Sequence, residues 1–373
     1  MSIDLSKMPK LGFGLMRLPE VDGVIDHEQV CKMVDLYMEA GLTYFDTAYV
    51  YHHGMSEVEV RKAIVERYPR ESFTIATKLP EWEIKCEEDN ERIFNEQLER
   101  TGAGYFDFYL MHAVDDSNFA NYEKYDCFNF GLKKKEEGRI RHLGFSFHGT
   151  PEMLVKILDK YPFIEFVQIQ LNYLDWDSDK VYSGKLYEIL SSRNIPIVVM
   201  EPIKGGSLAQ LKPELEDKFK ALRPDASIAS WALRYVGSLP GVMTLLSGMS
   251  LLEQMEDNVK TFTNFEALSE EEKKTVEEVV EFMKKTPQIG CTACSYCTDG
   301  CPMNIGIPNT FRIINAINMY GKSERTDKMI ENMLKKKAGP ADCIQCGQCE
   351  GVCPQHLPII ELLQDASKII GCN

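Results

Sequence analysis

No apolar run in this 373-residue chain approaches the ~18 residues that a membrane-spanning helix needs, so no membrane partner is expected. The opening MSIDLSKMPK lacks the apolar stretch of a secretory leader, and a cytoplasmic location is expected. Basic charge is in deficit: 42 Lys and Arg stand against 57 Asp and Glu, leaving −15. Nucleic-acid affinity rests on counterion release by basic clusters, so nucleic acid is excluded as a partner. Low-complexity tracts are missing, and 44% apolar residues with 25 Gly and 17 Pro exclude collagen-like and wholly disordered classes. Cysteine is scarce through the first 290 residues, where only Cys31, Cys86 and Cys127 occur, whereas nine of the twelve lie in the last 83. In a reducing compartment such clustering points to metal or redox chemistry and not to disulfides. The three scattered cysteines and Cys372 read as free thiols.

Length allows two or three domains at roughly 150 residues each. Eight short apolar, β-branched-rich runs recur along the chain: 11–16, 42–47, 73–78, 106–112, 140–147, 166–172, 195–201 and 242–248. Helix-period stretches lie between them, several opened by a capping residue such as Ser56, Thr150 or Asp225. Continuous apolar strands alternating with amphipathic helices imply a helix-covered parallel sheet, and eight units close a (β/α)8 barrel. An open doubly wound sheet is the alternative. After Phe265, Ser269 and Glu272 stand at capping-box spacing before an apolar stripe of Val276, Val279, Val280 and Met283, which predicts a connector helix. The expected domains are a barrel over 1–265, a connector over 266–286 and a cysteine-rich domain over 287–373.

The cysteine-rich end contains C-x2-C-x2-C-x3-C-P twice, at Cys291, Cys294, Cys297 and Cys301 and again at Cys343, Cys346, Cys349 and Cys353. Three closely spaced thiolates hold three corners of a 4Fe-4S cubane, and in two-cluster ferredoxins the fourth cysteine ligates the other cluster. On that pattern one cluster uses Cys291, Cys294, Cys297 and Cys353, and the other uses Cys343, Cys346, Cys349 and Cys301. Two zinc sites are the alternative, although zinc ribbons present pairs of C-x2-C and not runs of four. The 41 residues between Cys301 and Cys343, with the amphipathic FRIINAINMY and KMIENMLKKK, predict a small, mainly helical ferredoxin-like domain.

Barrel chemistry sits at the C-terminal ends of strands. There the chain has Asp46, Tyr51 five residues later, Lys78 and His112. A phenol of pKa near 10 gives up its proton more readily beside an ammonium. Lys78 supplies that charge, Asp46 holds Lys78, and His112 is a second donor to a carbonyl oxygen. Each residue alone reads as structural, but together they suit polarising and protonating a carbonyl.

These residues stand in DTAYVYHHGMSE, IATK and YLMH, and with GFSFHG and QIQLN they resemble the aldo/keto reductase superfamily over about residues 8–262. With its tail, the chain resembles the bacterial branch that carries a C-terminal 4Fe-4S dicluster domain. The resemblance implies a TIM barrel that binds NADP or NAD without a Rossmann fold, with Asp46, Tyr51, Lys78 and His112 as catalytic tetrad and Tyr51 as general acid. It also implies that Ser146 and Gln168 hold the nicotinamide carboxamide and that Pro202 and Asn258 sit at cofactor positions. The chain departs from the pattern at Phe147, at Met200 in place of the stacking aromatic, at Glu201, and at Gly248 and Gln254 in place of basic residues that grip a 2′-phosphate. Lys204 is a substitute phosphate contact or a solvated surface lysine. Arg17 is expected to face the rim and bind an anionic group; GFGLMR at 12–17 has no directly following helix and is not a Rossmann loop.

The leading reading is an oxidoreductase that reduces a small-molecule carbonyl with NAD(P)H and is linked to two 4Fe-4S clusters for one-electron transfer, with a redox partner protein. Hydride carries two electrons and each cluster one, so direct coupling needs an intermediary. An alternative is therefore an FMN reductase whose flavin phosphate sits on Gly205, Gly206, Ser247 and Gly248. A second alternative is an electron-transfer protein with a scaffold barrel, which would have no use for the tetrad.

Overall fold

The computed structural model describes residue 4 and residues 7–320, 322 and 324–371. Its eight parallel strands follow the apolar runs: β1 (Leu11–Gly14), β2 (Tyr44–Asp46), β3 (Thr74–Leu79), β4 (Phe106–Val114), β5 (Ile140–Phe147), β6 (Phe166–Gln170), β7 (Ile197–Met200) and β8 (Val242–Ser247). Each pairs with its sequence neighbours, and β1 closes on β8 through Leu11↔Leu245 and on β2 through Gly12↔Tyr44, so the sheet is a closed barrel and not an open one. All six residues of β8 and all five of β6 are buried, as strands covered on both faces require. Tyr44, Ala76, Phe108, Leu110, Phe166, Val198, Met243 and Leu246 form a buried core cluster contributed by strands around the barrel. Gly12 is needed there, because a Cβ would lie 2.8 Å from Leu246.

Thr150 caps the helix Pro151–Lys160 by accepting from the Met153 N–H at 3.3 Å. Two expected caps differ. Ser56 lies inside the helix Met55–Val60 and donates to the Leu15 carbonyl at 3.0 Å, which pins the loop after β2 to the end of β1. Ser227 supplies the bond to the Ser230 N–H at 3.1 Å where Asp225 was expected to cap.

The chain divides into two compact units. One comprises Met1–Pro202 with Leu233–Leu268 and contains the whole strand barrel; the other comprises Ile203–Ala232 with Ser269–Asn373. In the second unit, Ser269 and Glu272 form the capping box of helix Glu270–Lys284, whose Val276, Val279 and Met283 are buried. Helix Pro213–Leu222 joins it through Lys218 and Glu278 at 2.6 Å and through Arg223 and Glu272 at 2.5 Å. Beyond it come helices Ile307–Tyr320, Glu324–Lys336 and Ile359–Ile370, and Ile305, Ile307, Phe311, Leu357, Ile359 and Leu363 form a small core with Cys297 and Cys349, against which Cys291, Cys301, Cys343 and Cys353 pack. None of the described helices is long and apolar enough to cross a membrane.

Candidate active site and cysteine cavities

The tetrad residues gather at the C-terminal ends of β2, β3 and β4. Lys78 is fully buried, and its Nζ donates to Asp46 Oδ1 at 2.6 Å and to the Thr47 carbonyl at 2.7 Å. The same ammonium lies 4.8 Å from the centre of the Tyr51 ring. The His112 ring meets that of Tyr51 edge-on at 5.8 Å. Tyr51 is held by a loop in which His52 and His53 both have left-handed backbone, φ 49° and 54°. That loop is tied down by the Leu18 N–H, which donates to His52 Nε2 at 3.0 Å.

Burial dominates the electrostatics. It pushes Asp46 up and Lys78 down, and their mutual attraction opposes both shifts. It also pushes Tyr51 well above 10, with Asp46 and Glu201 adding to the rise and Arg17 opposing it. His112 falls well below 6.5, from burial first and then from Lys78 and His148, so its imidazole is neutral at pH 7. Among the described residues, His112 Nδ1 and Asp46 Oδ2 are buried polar atoms without a hydrogen-bond partner.

A second layer, missed from sequence, stands behind Lys78. Gln97 Nε2 donates to Glu57 Oε1 at 2.9 Å, to Thr77 Oγ1 at 3.0 Å and to the Lys78 carbonyl at 3.0 Å, while its Oε1 accepts from the Tyr109 hydroxyl at 2.8 Å. The signal was a glutamine on the buried face of an amphipathic helix, alongside Ile93 and Phe94. Trp82 was also missed; it is 45% exposed and its ring lies 5.2 Å from that of His112.

Register pairing sets Ser146 beside Gln168 and Gln170 beside Met200. Ser146 Oγ accepts from the Ala113 N–H at 2.7 Å. Gln168 Nε2 donates to Met200 Sδ at 3.6 Å, and its Oε1 is buried without a partner among the described residues. Pro202 is buried. Asn258 Nδ2 donates to Ser247 Oγ at 2.9 Å, and Gly248 lies against Arg17. Gln254 Oε1 accepts from the Ser250 N–H at 2.8 Å, closing the start of a helix. Arg17 faces the rim as expected, but there its Nη2 donates to Glu201 Oε1 at 3.1 Å. Lys204 is 7% exposed, so the solvated-lysine alternative is excluded. Gly205 and Gly206 are exposed, and a Cβ on Gly205 would lie 2.4 Å from the Thr292 carbonyl oxygen.

None of the described cysteines is in a disulfide. Cys31 is half-buried, Cys86 exposed and Cys127 buried, with its thiol pushed up to about 12 by burial. Cys372 lies outside the described residues. One cavity is lined by Cys291, Cys294, Cys297 and Cys353, and a second by Cys343, Cys346, Cys349 and Cys301. Each therefore takes three cysteines from one run and the last from the other. The Cys297 thiol is pushed up to about 12, by burial and then by Cys294, Cys291 and Cys353. Such crowding of thiols suits a group that binds them as thiolates.

A family profile described as "Aldo/keto reductase family" matches residues 10–281, and one described as "4Fe-4S dicluster domain" matches residues 290–358. L-galactose dehydrogenase of Arabidopsis thaliana is 26% identical over 298 residues, covering 74% of this chain and 92% of that protein. Among solved structures, an aldo/keto reductase from Klebsiella pneumoniae in complex with NADP and acetate is 20% identical with a TM-score of 0.61, covering 73% of this chain and 92% of that one. An aldo-keto reductase from Bacillus halodurans is 24% identical with a TM-score of 0.58, covering 72% of this chain and 91% of that one. Both structural likenesses are likenesses of fold.

Proposed function

The chain belongs to the aldo/keto reductase family and carries a 4Fe-4S dicluster domain, and from that premise we propose that it reduces the carbonyl of a small molecule with a nicotinamide dinucleotide, Tyr51 giving the proton. The observation that carries this reading is the convergence of Lys78, Asp46, Tyr51 and His112 at one end of the barrel. A phenol held well above 10 keeps its proton at neutral pH and is loaded as a donor. As charge grows on the substrate oxygen, the buried Lys78 ammonium stabilises the phenolate left behind, and Asp46 fixes that ammonium in place. His112 is neutral, so it adds one N–H to the carbonyl oxygen without competing as an acid.

The dinucleotide, when bound, supplies hydride. Ser146 and Gln168 fit its carboxamide, since the unpartnered Gln168 Oε1 is an acceptor for an amide N–H. Met200 offers a flexible thioether face to the ring, while Pro202, Gly248 and Asn258 flank the remainder. Whether the dinucleotide is NADP or NAD is decided without the Lys and Arg that the superfamily often has after the last strand. We carry the flavin alternative no further, since neither the family match nor the related structures favour it. In the dicluster domain, the two cavities support crossed ligation, with Cys301 and Cys353 exchanged between runs. Two runs of four cysteines, each closed by a Pro, favour clusters over zinc, whose ribbons present pairs of C-x2-C. The clusters supply one-electron transfer to a redox partner protein. We retain 1–265, 266–286 and 287–373 as reductase, connector and dicluster segments.

The test is anaerobic carbonyl reduction by the full chain with NADPH and NADH in turn, paired with Tyr51→Phe. Loss of turnover with cluster content retained supports the assignment, and a variant that keeps more than half of wild-type turnover removes Tyr51 from it.

A further inference from the structure

The two cysteine cavities differ in their exposure. Among the described residues lining the cavity of Cys291, Cys294, Cys297 and Cys353, Ser295 alone is exposed. The cavity of Cys343, Cys346, Cys349 and Cys301 is lined by exposed Pro302, Met303, Ile344, Gln345 and Cys346, the last of these one of its four cysteines. Ile344 stands between the first two cysteines of its run and is 59% exposed, and Met303 follows Cys301 by two residues and is 38% exposed. Of the nine large apolar side chains exposed among the described residues, four fall within 303–352, the other two being Leu334 and Val352. Leu334 adjoins the loop, since a Cβ on Gly339, which opens the turn leading into Cys343, would lie 2.8 Å from its side chain.

No Asp, Glu, Lys or Arg lines this cavity. The charges nearest to it in sequence are engaged with neighbours. Asp342 Oδ2 accepts from the Gly339 N–H at 2.8 Å, Glu350 Oε1 accepts from the Ile360 N–H at 2.9 Å, and Lys337 Nζ donates to Asn304 Oδ1 at 2.6 Å. An apolar face left in water marks a surface used for association. The cavity behind this face is assigned to a one-electron centre, and electron transfer weakens steeply with distance, so a carrier docked here stands nearest to that centre. A carrier with a charged docking face would bury its charge against side chains that cannot pair it, which is costly.

We propose that the face of Met303 and Ile344 is the port through which the dicluster domain exchanges electrons, and that its partner is a one-electron carrier protein whose own redox centre lies under an uncharged apolar face. This rests on the two-cluster reading above. One electron leaves the reduced second cluster and reduces the carrier's centre by one, with no bond made or broken and no proton required. The encounter is of the small, weak kind found for redox pairs.

The full-length holoprotein is prepared anaerobically, its iron and sulfide are counted, and it is reduced, freed of reductant and mixed with oxidised azurin, a blue-copper carrier with an uncharged apolar docking face, in a stopped-flow instrument. High salt screens the long-range field of the −15 chain. Ile344→Glu and Met303→Glu, with cluster content and both midpoint potentials retained, are each expected to lower the second-order rate constant by about tenfold, because each sets an unpaired charge inside an apolar contact. Val24→Glu, on the exposed hairpin Glu20–Ile25, is expected to leave it unchanged. Cys346→Ala, with the first cluster still present, is expected to lose the rapid phase. In the unmodified chain, a neutral gadolinium chelate is expected to hasten the paramagnetic relaxation of the second-run signal, the one missing in Cys346→Ala, more than that of the first. Wild-type rates in both glutamate variants, equal slowing in Val24→Glu, a rapid phase that survives loss of the second cluster, or stronger relaxation of the first signal would overturn the port. So would a wild-type dimer that Ile344→Glu dissociates in analytical ultracentrifugation, since the face would then belong to a second copy of the chain. Iron and sulfide for fewer than two clusters defeat the two-cluster reading, and the port with it, before any carrier is added.

Discussion

In the proposed reaction Tyr51 and Lys78 divide a task that neither would perform alone. Burial raises the tyrosine and lowers the lysine, so each is pressed towards its neutral form, and the 2.6 Å bond to Asp46 opposes the loss of charge on Lys78. Tyr51→Phe is expected to reduce kcat by ~10²- to 10⁴-fold, the range of general acid catalysis, with unchanged cluster absorbance. Asp46→Asn strands a buried ammonium. Breaking a buried pair costs ~3–5 kcal/mol, so a clear drop in thermal midpoint should accompany the lost activity. The pH profile carries its own sign. Tyr51 sits well above 10 and His112 well below 6.5, so the phenol stays protonated as pH rises and the imidazole stays neutral as pH falls. Between pH 6 and 9 kcat/KM should be flat. An inflection near 6.5 that disappears in His112→Gln would show that the histidine titrates after all.

Strand ends were legible in sequence because fully buried parallel strands write themselves as continuous apolar runs, and a charged residue closing such a run, as Lys78 closes IATK, is conspicuous. The layer behind them was not legible. Gln97 is a polar residue on a helix face that should pack against the barrel, and only the fold reveals that it satisfies Glu57, Thr77, Tyr109 and the Lys78 carbonyl together. Its importance is an element-scale matter, since it joins the helix Glu88–Thr101 to β3 and β4. Gln97→Leu keeps the volume but leaves several buried polar groups unpaired, each worth ~1–3 kcal/mol. A lowered thermal midpoint is therefore expected, together with a reduced kcat as β3 loses its support at Lys78. An unchanged midpoint with unchanged kcat would show that the network is redundant. The expected caps at Ser56 and Asp225 failed for a related reason. A short polar side chain reads as a cap locally, but Ser56 is claimed by the Leu15 carbonyl at the end of the neighbouring strand, and Ser227 rather than Asp225 bonds the Ser230 N–H.

At the scale of the whole molecule, the doubled cysteine motif predicts about eight irons per chain. If ligation crosses, Cys301→Ala damages the cluster of Cys343, Cys346 and Cys349 and spares the first, a result readable by electron paramagnetic resonance. Damage to the first cluster alone would establish uncrossed ligation.

Separating the reductase from the clusters is a different matter, because the family match runs on to residue 281 and the helix Pro213–Leu222 lies within it. That helix buries Leu215 and Phe219 and meets the helix Glu270–Lys284 through Lys218 with Glu278, Arg223 with Glu272, and Lys212 over the Phe282 ring at 5.2 Å. A chain ending at 265 deletes the partner helix and uncovers apolar side chains worth ~1.5–3 kcal/mol each when fully buried. A chain ending at 286 keeps Val276, Val279 and Met283 in place while removing every cluster cysteine. The expected outcome is that 1–286 is soluble, melts cooperatively and binds the dinucleotide, whereas 1–265 is poorly soluble or melts far lower. Equal solubility and equal melting of the two truncations would mean that the connector helix belongs functionally to the dicluster domain and that the barrel stands without it.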